Sequence, residues 1–134
     1  MKAFPLQIIT PDKIFFDGSV QRLVVRTTEG DTGILAGHEK YVAALPAGSM
    51  RLTMEDGTER IAALSGGALK VSPTHTAVLA NAAEWAEDID VEWAKRSEAD
   101  ALRRKEESKT QNELDRAEAK LKRALNRLKV SSMR

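Results

Sequence analysis

The sequence predicts a β plus α protein, with an N-terminal antiparallel β-sandwich followed by a C-terminal two-helix hairpin. All eight glycines and all four prolines lie in residues 1–87, whereas residues 88–134 contain neither. In that second segment 23 of 47 residues are charged, and its composition is dominated by Ala, Leu, Glu, Lys and Arg, which favour helix. Residues 1–87 instead contain short β-branched and aromatic runs separated by turn residues. We therefore place the domain boundary between residues 87 and 88.

The strands of the first domain follow from alternation and from turn residues. Pro11-Asp12 and Asp17-Gly18 are predicted to be turns between three apolar runs, which are Leu6–Ile9, Ile14–Phe16 and Val20–Thr27. Asp56-Gly57 predicts a type I′ hairpin turn, because glycine tolerates the positive φ that this turn requires. Turn signals that recur roughly every 8–12 residues favour a sandwich or barrel over a βαβ fold.

Two helices are predicted in the second domain. The first runs from about Asp90 to Glu107, with acidic residues near its positive N-terminal end. Thr110–Glu113 has the form of a capping box, so the second helix is expected to begin near Thr110. Its apolar residues recur at intervals of three and four and form a narrow stripe of Leu114, Ala117, Leu121, Ala124 and Leu128, with Leu125 beside them. The first helix has a thinner stripe of Trp93, Ala94, Ala101 and Leu102.

The composition excludes several classes of function. With 21 basic and 20 acidic residues, the net charge of +1 does not fit a general polyanion binder. The absence of cysteine excludes a disulfide scaffold and a cysteine-ligated metal site. Aromatic residues, at 4%, are too few for a surface that stacks nucleic-acid bases. No apolar run approaches the roughly 18 residues of a membrane-spanning helix, and the N-terminus lacks a signal-peptide pattern, so we expect a soluble protein that is not exported.

Few residues could carry catalysis or bind a metal. None of the common nucleophile, zinc or nucleotide-loop motifs is present. The two histidines, His38 and His75, lie in predicted loops without clustered carboxylates, so we expect them in turns or hydrogen bonds, and we expect no metal site and no catalytic site. The basic residues of the second domain are interleaved with acidic ones, which favours a partner-binding hairpin over a nucleic-acid interface.

Several motifs, in this order and spacing, resemble those of one family. They are Ile9–Asp12, Phe16–Gly18, Glu29–His38, Leu64–Gly67, with its Ser-Gly-Gly turn, and Ile89-Asp90. On these residues the chain resembles the epsilon subunits of bacterial F-type ATP synthases, and the resemblance covers the whole chain. It departs from the family at Ala36, where Pro is usual, and at Lys40-Tyr41, where a Pro commonly follows the histidine region.

The resemblance implies a non-catalytic rotor subunit that couples the c ring to the gamma subunit during ATP synthesis driven by an ion gradient. It would lie peripherally at the cytoplasmic face of the bacterial plasma membrane. Its head would be a ten-stranded β-sandwich that sits on the c ring and clamps the foot of gamma. Glu29 and Asp31 match the family's ring-facing loop, and His38 matches a region near the gamma contact.

The resemblance also implies that the hairpin regulates ATP hydrolysis. It would either fold against the head or open along gamma, where it blocks rotation in the hydrolysis direction. Its basic face would then meet acidic residues of the catalytic beta subunits, through Lys120, Lys122, Arg123 and Arg127. Because narrow Ala and Leu stripes bury little area, we expect the docked state of the hairpin to be only marginally stable.

Some members of the family bind ATP in the folded hairpin through an I/L-D-x-x-R-A motif and further arginines. The matching stretch here, Ile89–Ala94, has Trp93 where the motif has Arg, and Asp100 stands where relatives can carry a second Arg. The resemblance therefore implies no required cofactor and at most weak regulatory ATP binding. The residues that would remain of the site are Ile89, Asp90, Ala94, Arg123 and Arg127.

A second class of function fits the same sequence. The chain could be a free-standing β-sandwich binding module with a helical dimerisation tail. A stable symmetric coiled-coil dimer of the isolated chain would favour this alternative, whereas capture of gamma and the c ring would favour the rotor subunit.

Overall fold

A computed structural model of the chain describes residues 2–133. Its internal contacts divide it into two compact units, Met1–Trp85 and Ala86–Arg134. The first unit therefore ends two residues before the boundary that we place after residue 87. The first unit contains the strands, and the second contains two helices, so the predicted β plus α fold class is confirmed.

The strands of the first unit close on themselves. Within the described residues they are β1 (Phe4–Ile9), β2 (Ile14–Thr27), β3 (Gly30–Ile34), β4 (Tyr41–Met54), β5 (Glu59–Val71), β6 (Thr76–Ala80) and β7 (Ala83–Trp85). Neighbouring strands follow the order β1-β6-β5-β4-β2-β3, and β7 pairs with β5. An additional pairing of β1 with β2 closes the sheet on itself, and β3 continues from β2 outside this closed ring of strands.

The strand pairing refines one expectation, and the strand count corrects another. The predicted antiparallel sandwich contains one parallel pair, β1 with β6, with Leu6 opposite Thr76, while the other pairs are antiparallel. The described residues form seven strands and not the ten that the resemblance implies, and β2, β4 and β5 are 13 or 14 residues long. Such long strands run through positions at which the sequence suggested breaks.

The hydrophobic core of the first unit follows the period of two of its strands. In β1, Phe4, Leu6 and Ile8 are buried, and the residues between them are more exposed. The same alternation in the other strands fills the interior with branched aliphatic side chains and one methionine. The largest fully buried ones are Leu6, Ile8, Val20, Leu23, Val25, Ile34, Met50, Leu52, Leu69 and Val78.

The prediction of a turn at Asp17-Gly18 is wrong. Gly18 pairs with Leu6 of β1 and Asp17 pairs with Gln7, so Ile14–Thr27 is a single strand. A side chain at Gly18 would meet the ring of Phe16, whose nearest carbon lies 3.2 Å from the position of a Cβ. The glycine therefore makes room for an aromatic ring and does not mark a turn.

The turn at Asp56-Gly57 exists but has a different form. The Gly57 N–H donates to the Met54 carbonyl at 3.0 Å, and Gly57 has a φ of +88°. No other residue type in the described part of the chain has a positive φ, whereas a type I′ turn needs one at Asp56 as well. The hairpin therefore closes through a three-residue loop with glycine in the left-handed position.

Gly66 and Gly67 form no turn, although the resemblance suggested one. They lie inside β5, after the part that pairs with β7, and Gly67 is the first residue of β5 that pairs with β6, opposite Ala80. Gly67 has a φ of +150°, and a Cβ there would overlap the carbonyl oxygen of Leu79 and lie 2.9 Å from the Ala80 Cα. Close approach of the two backbones therefore requires glycine at this position.

Both helices of the second unit begin at capping residues, of which Thr110 was predicted as a cap and Asp90 only as an acidic residue near the helix start. A short 3-10 turn (Ala86–Asp88) precedes α1 (Val91–Glu107) and α2 (Gln111–Ser131). The Asp90 carboxylate accepts the Trp93 N–H at 3.0 Å, and Thr110 Oγ1 accepts the Glu113 N–H at 3.1 Å. The Glu113 carboxylate reaches back to the Lys109 N–H at 2.8 Å, one residue earlier than in the usual capping box.

Small residues line the contact between α1 and α2. Ala94 and Ala101 of α1 and Ala117 and Ala124 of α2 are buried. The larger residues of the predicted stripes are less buried, and Trp93, Leu102 and Leu125 are about half exposed. Burial of alanines removes little apolar area from water, so apolar packing contributes little to this contact.

Candidate functional site

The hairpin between β2 and β3 carries the two carboxylates that are expected to contact the ring. Thr27 Oγ1 donates to the Gly30 carbonyl at 2.8 Å and accepts the Glu29 N–H at 3.1 Å, which fixes the turn. Asp31 forms an ion pair with Arg26 on the neighbouring strand, with 2.6 Å between Oδ1 and Nε. Glu29 is exposed at the tip. The structure therefore presents Glu29 to solvent and restrains Asp31.

The two histidines lie in one surface depression of about 240 Å³, a proximity that their sequence positions do not reveal. The loops around His38 and His75 form its walls together with the N-terminal segment that includes Lys2. His38 Nδ1 donates to the Glu39 carbonyl at 2.8 Å, and its ring centroid lies 5.9 Å from that of Tyr41. Within residues 2–133 no group of three or more His, Cys, Asp or Glu side chains is placed to hold a metal ion.

An exposed apolar surface on the head was missed in the sequence. Strand register places Val42 beside Lys70 and Ala77, and Ala44 beside Ala68 and Leu79, so the outward side chains of β4, β5 and β6 form one face. Val42 is 73% exposed and Leu79 is 51% exposed. We call this surface the apolar sheet face; its apolar members are Val42, Ala44, Ala68, Ala77 and Leu79. The sequence shows these residues at alternate positions of each strand, which indicates that they share one side of that strand. Only the pairing register shows that the three strands place them on the same face of the sheet.

The residues of the degraded nucleotide motif have mainly structural contacts. Ile89 and Ala94 are buried, and the Asp90 carboxylate caps α1. Trp93 is about half exposed, and the guanidinium carbon of Arg127 lies 4.7 Å from its ring centroid. This distance is within the range of a cation–π contact. The tryptophan that replaces the motif's arginine therefore contacts one of the arginines that remain.

Asp100, at the second altered position, is surrounded by cations. Its carboxylate forms ion pairs with Lys120 of α2 and with Arg103 of its own helix, and Arg104 Nε lies 2.9 Å from Oδ2. The hydrogen bond from Lys120, followed by that from Arg103, lowers the pKa of Asp100 from 3.8 to about 2. Lys120, one of the predicted partner-contact residues, is thus already paired within the hairpin.

The four basic residues predicted to form one face of α2 do not do so. At 3.6 residues per turn, Lys120, Arg123 and Arg127 lie within about 60° of one another around the helix axis. Lys122 lies about 200° from Lys120 and therefore projects from the opposite side. Lys122 and Arg123 are both exposed. Two of the four cations, Lys120 and Arg127, contact α1, and the other two face solvent in different directions.

Both units match models of one family. Residues 3–86 match the description "ATP synthase, Delta/Epsilon chain, beta-sandwich domain", and residues 87–132 match "ATP synthase, Delta/Epsilon chain, long alpha-helix domain". The ATP synthase epsilon chain of Ruminococcus albus is 43% identical over 133 residues, which cover 98% of each chain. That of Bacillus velezensis is 42% identical over 131 residues, again with 98% of each chain covered.

Two solved structures share the fold. A chain in the cryo-EM structure of the Euglena gracilis mitochondrial ATP synthase (OSCP/F1/c-ring) aligns with a TM-score of 0.84 and 23% identity, covering 98% of this chain and 82% of that one. A chain in the central stalk and c-ring structure of the Tetrahymena thermophila enzyme aligns with a TM-score of 0.64 and 14% identity, covering 97% of each. In the described part of this chain, no helix is long and apolar enough to cross a membrane.

Proposed function

This chain belongs to the ATP synthase delta/epsilon family, and we propose on that basis that it is the epsilon chain of a bacterial ATP synthase. In this role it is a non-catalytic rotor subunit that couples the c ring to gamma during ATP synthesis driven by an ion gradient. The observation that carries the proposal is the match of both family domains, in order, together with 43% identity to an epsilon chain over nearly the full length. The chain would then lie at the cytoplasmic face of the plasma membrane, bound through the complex.

We assign the gamma contact to the apolar sheet face and the neighbouring His38 loop. Val42 and Leu79 expose apolar side chains to water, which is unfavourable in the free chain. A partner that covers this surface would remove it from water, so an exposed apolar patch of this kind indicates a binding surface. His38 lies a few residues before β4, in which Val42 stands. The exposed carboxylate of Glu29, at the tip of the β2–β3 hairpin, is the main candidate contact to the c ring. Asp31, which is paired with Arg26, is a second candidate.

The hairpin is assigned the inhibition of ATP hydrolysis. Lys122 and Arg123 are exposed and take no part in the ion pairs described for the hairpin, so they are the cations that an acidic surface of the beta subunits can reach. Lys120 and Arg127 would have to leave Asp100 and Trp93 first. Of the four basic residues expected to contact the beta subunits, Lys122 and Arg123 are therefore the ones that we propose for this contact.

Regulatory ATP binding is proposed to be weak. Of the residues expected to form the site, Arg127 contacts Trp93, and Asp100 places a negative charge where relatives can carry an arginine. A phosphate chain would meet fewer free guanidinium groups and an added carboxylate. Ile89, Asp90, Ala94, Arg123 and Arg127 remain as the candidate nucleotide site.

Capture experiments test the assignment. A tagged full-length chain, co-expressed with gamma and the c subunit of its own organism, should purify with both. Leu79→Asp should reduce capture of gamma, because binding of gamma would bury the new carboxylate in the apolar sheet face without an opposite charge to pair with it. Arg22→Asp, at an exposed position of β2 outside that face, serves as the control and should leave capture unchanged. A symmetric dimer that captures neither subunit would instead identify a free-standing binding module.

A further inference from the structure

The walls of the depression that contains His38 and His75 carry no acidic side chain among the described residues. The chain has 20 acidic residues, so their absence from this one depression sets it apart from the rest of the surface. Its ionisable side chains are those of the two histidines and Lys2, and the hydroxyls of Ser72 and Thr74 add polar groups. Each of these ionisable groups is neutral or positive, which favours an anion over a cation.

Hydrogen bonds within each loop determine which ring nitrogen of the two histidines remains for a ligand. His38 Nδ1 carries the hydrogen of its bond to the Glu39 carbonyl, because a carbonyl oxygen can only accept. Ser72 Oγ donates its only hydrogen to the His75 carbonyl at 2.9 Å, so it accepts at its 3.2 Å contact with His75 Nδ1. Nδ1 is thus the donor in both rings, and Nε2 of neither ring has a hydrogen-bond partner among the described residues.

The surroundings of the two rings distinguish an anion site from a metal site. An Nε2 atom without a protein partner serves a metal ion when the ring is neutral and an anion when the ring is protonated. A metal ion needs further ligands, and within residues 2–133 no group of three or more His, Cys, Asp or Glu side chains is placed to hold one. The ammonium group of Lys2 would also repel a cation from this depression. An oxyanion, in contrast, accepts hydrogen bonds from protonated imidazoles, from an ammonium group and from hydroxyls.

We propose that this depression binds a small oxyanion of the phosphate class, with the protonated Nε2 atoms of His38 and His75 and the ammonium group of Lys2 as its donors. Its volume of about 240 Å³ lies below the range of about 300–1,000 Å³ that is usual for drug-sized ligands. A single phosphate group therefore suits it better than a nucleotide. The site is formed by residues of the head alone and does not depend on the function proposed for the chain.

The charge of the two histidines makes this binding dependent on pH. Histidine side chains change their charge between about pH 5 and pH 8, so the anion should bind as the pH falls and leave as the pH rises. The other titratable residues beside the rings are Glu39, next to His38 in the chain, and Tyr41, whose ring centroid lies 5.9 Å from that of His38. Neither of these two residues lines the depression, so the pH dependence reports on the histidines.

An NMR titration of the native full-length chain with inorganic sulfate tests the proposal. Sulfate stays a dianion over the pH range of interest, whereas phosphate changes its own charge there. In a low-salt buffer at about pH 5.5, sulfate should shift the ring resonances of both histidines until the site is saturated. Its affinity should fall at least about tenfold by about pH 8, the effect of losing one charge-assisted hydrogen bond. Equal affinities at the two pH values would overturn the proposal, as would resonances that shift with Zn²⁺ and not with sulfate.

Substitutions that remove single donors locate the anion. His75→Asn keeps a donor near the position of Nδ1, which bonds to Ser72, and removes Nε2, so sulfate should bind about tenfold more weakly at about pH 5.5. Lys2→Gln should also weaken binding. Lys13→Gln is its matched control, because it removes the same charge from an exposed position beyond the other end of β1, and it should leave the affinity unchanged. Equal losses in the two lysine variants, or an unchanged affinity of His75→Asn, would overturn the site. The pH series on the native chain needs no variant to fold.

Free phosphate and a phosphate headgroup at a membrane surface present the same oxyanion to this site. Co-sedimentation with phosphatidylcholine vesicles, with and without phosphatidic acid, distinguishes the two sources. Vesicle binding that requires phosphatidic acid and is lost in His75→Asn would assign the headgroup. Resonance shifts with inorganic phosphate, without binding to either kind of vesicle, would assign the free ion. If neither inorganic phosphate nor phosphatidic acid binds, the depression is not a site for this class of anion.

Discussion

The guanidinium of Arg127 lies over the indole of Trp93, with its central carbon 4.7 Å from the ring centroid. Trp93 is in the first turn of α1, and Arg127 is in the last two turns of α2. The contact therefore links the beginning of one helix to the end of the other. It also involves one of the two changes that distinguish this hairpin from an ATP-binding one, since Arg127, an arginine of the expected site, contacts the tryptophan that stands where the motif has arginine.

Restoring the two arginines should tighten nucleotide binding. We expect the native chain to bind Mg-free ATP more weakly than micromolar, and Trp93→Arg with Asp100→Arg to bind it at least about tenfold more tightly. Each restored charge-assisted contact should contribute about 1.5–3 kcal/mol. Calorimetry on the isolated protein measures both affinities. Micromolar binding by the native chain would contradict the proposal of weak binding, and an unchanged affinity of the double variant would show that the site is misplaced.

The exposed cations of α2 should matter in the assembled enzyme. Changing Lys122, Arg123 and Arg127 to Ala should raise ATP hydrolysis and leave ATP synthesis nearly unchanged, because the brake acts in one direction of rotation. Lys122→Ala and Arg123→Ala should account for most of the effect, since Arg127 packs on Trp93. Rates measured with membrane vesicles that contain each variant test this expectation. An equally low hydrolysis rate in the triple variant would assign the inhibition to other subunits.

Acid should loosen the hairpin in a defined range. The pKa of Asp100 is lowered from 3.8 to about 2 by Lys120 and Arg103. A carboxyl group whose pKa is lower in the folded state contributes stability above its ordinary pKa and loses it as the pH falls towards the folded value. We therefore expect the helices to lose stability between about pH 4 and pH 2.

Circular dichroism melts of the native chain and of Asp100→Asn measure this loss. The difference between the two proteins should shrink over that pH range. The pKa of Asp56 is also lowered, by hydrogen bonds from Thr58, but this contribution is common to both proteins and cancels. A difference that stays constant from pH 5 to pH 2 would show that Asp100 does not stabilise the folded hairpin.

The head should fold without the helices. Its core cluster is drawn entirely from residues between Phe4 and Ala80. A truncated protein of residues 1–87 should therefore unfold cooperatively at nearly the temperature at which the head unfolds in the intact chain. Differential scanning calorimetry compares the two proteins. A broad, non-cooperative transition of the truncated protein would show that the hairpin forms part of the core.

Gly67→Ala should destabilise the head strongly. A Cβ at this position would overlap the Leu79 carbonyl oxygen, and the backbone is in a conformation that favours glycine. We expect a loss of about 3 kcal/mol or more in the free energy of unfolding. Gly57→Ala is the control, since Gly57 also has a positive φ but no atom within 4 Å of the added carbon. It should cost only about 1–2 kcal/mol, and equal losses in urea unfolding would contradict the role of close approach.

Features set by near neighbours in the chain were predictable from the sequence. Asp90 and Thr110 cap their helices through amides three residues away, so the residue types reveal the helix starts. Gly18 and Gly67 were assigned to turns because glycine is common there. At Gly18 the reason is the ring of Phe16, two residues earlier in the same strand, which the sequence contains but the turn interpretation overlooked. At Gly67 the reason is the backbone of β6, which approaches from a distant part of the chain and cannot be read from adjacent residues.

In the candidate site, too, the sequence identifies the residues but not the contacts between them. The sequence identifies Asp100, Lys120, Trp93 and Arg127 as unusual or charged residues of the hairpin. Which cation meets which partner depends on the register between two helices, and the spacing of alanines and leucines within each helix does not determine it. The apolar sheet face likewise needs the pairing of three strands, because each strand contributes only one or two of its exposed residues.

The parallel pairing of β1 with β6 affects the order in which the chain can fold during synthesis. β1 can join β2 early, since only a short turn separates them, but its other edge pairs with residues about 70 positions later. That edge stays open until residues 76–80 have left the ribosome, and an open edge is a site for pairing with other chains. The first strand to be made is therefore among the last to be completed, and the nascent head is vulnerable to aggregation until then.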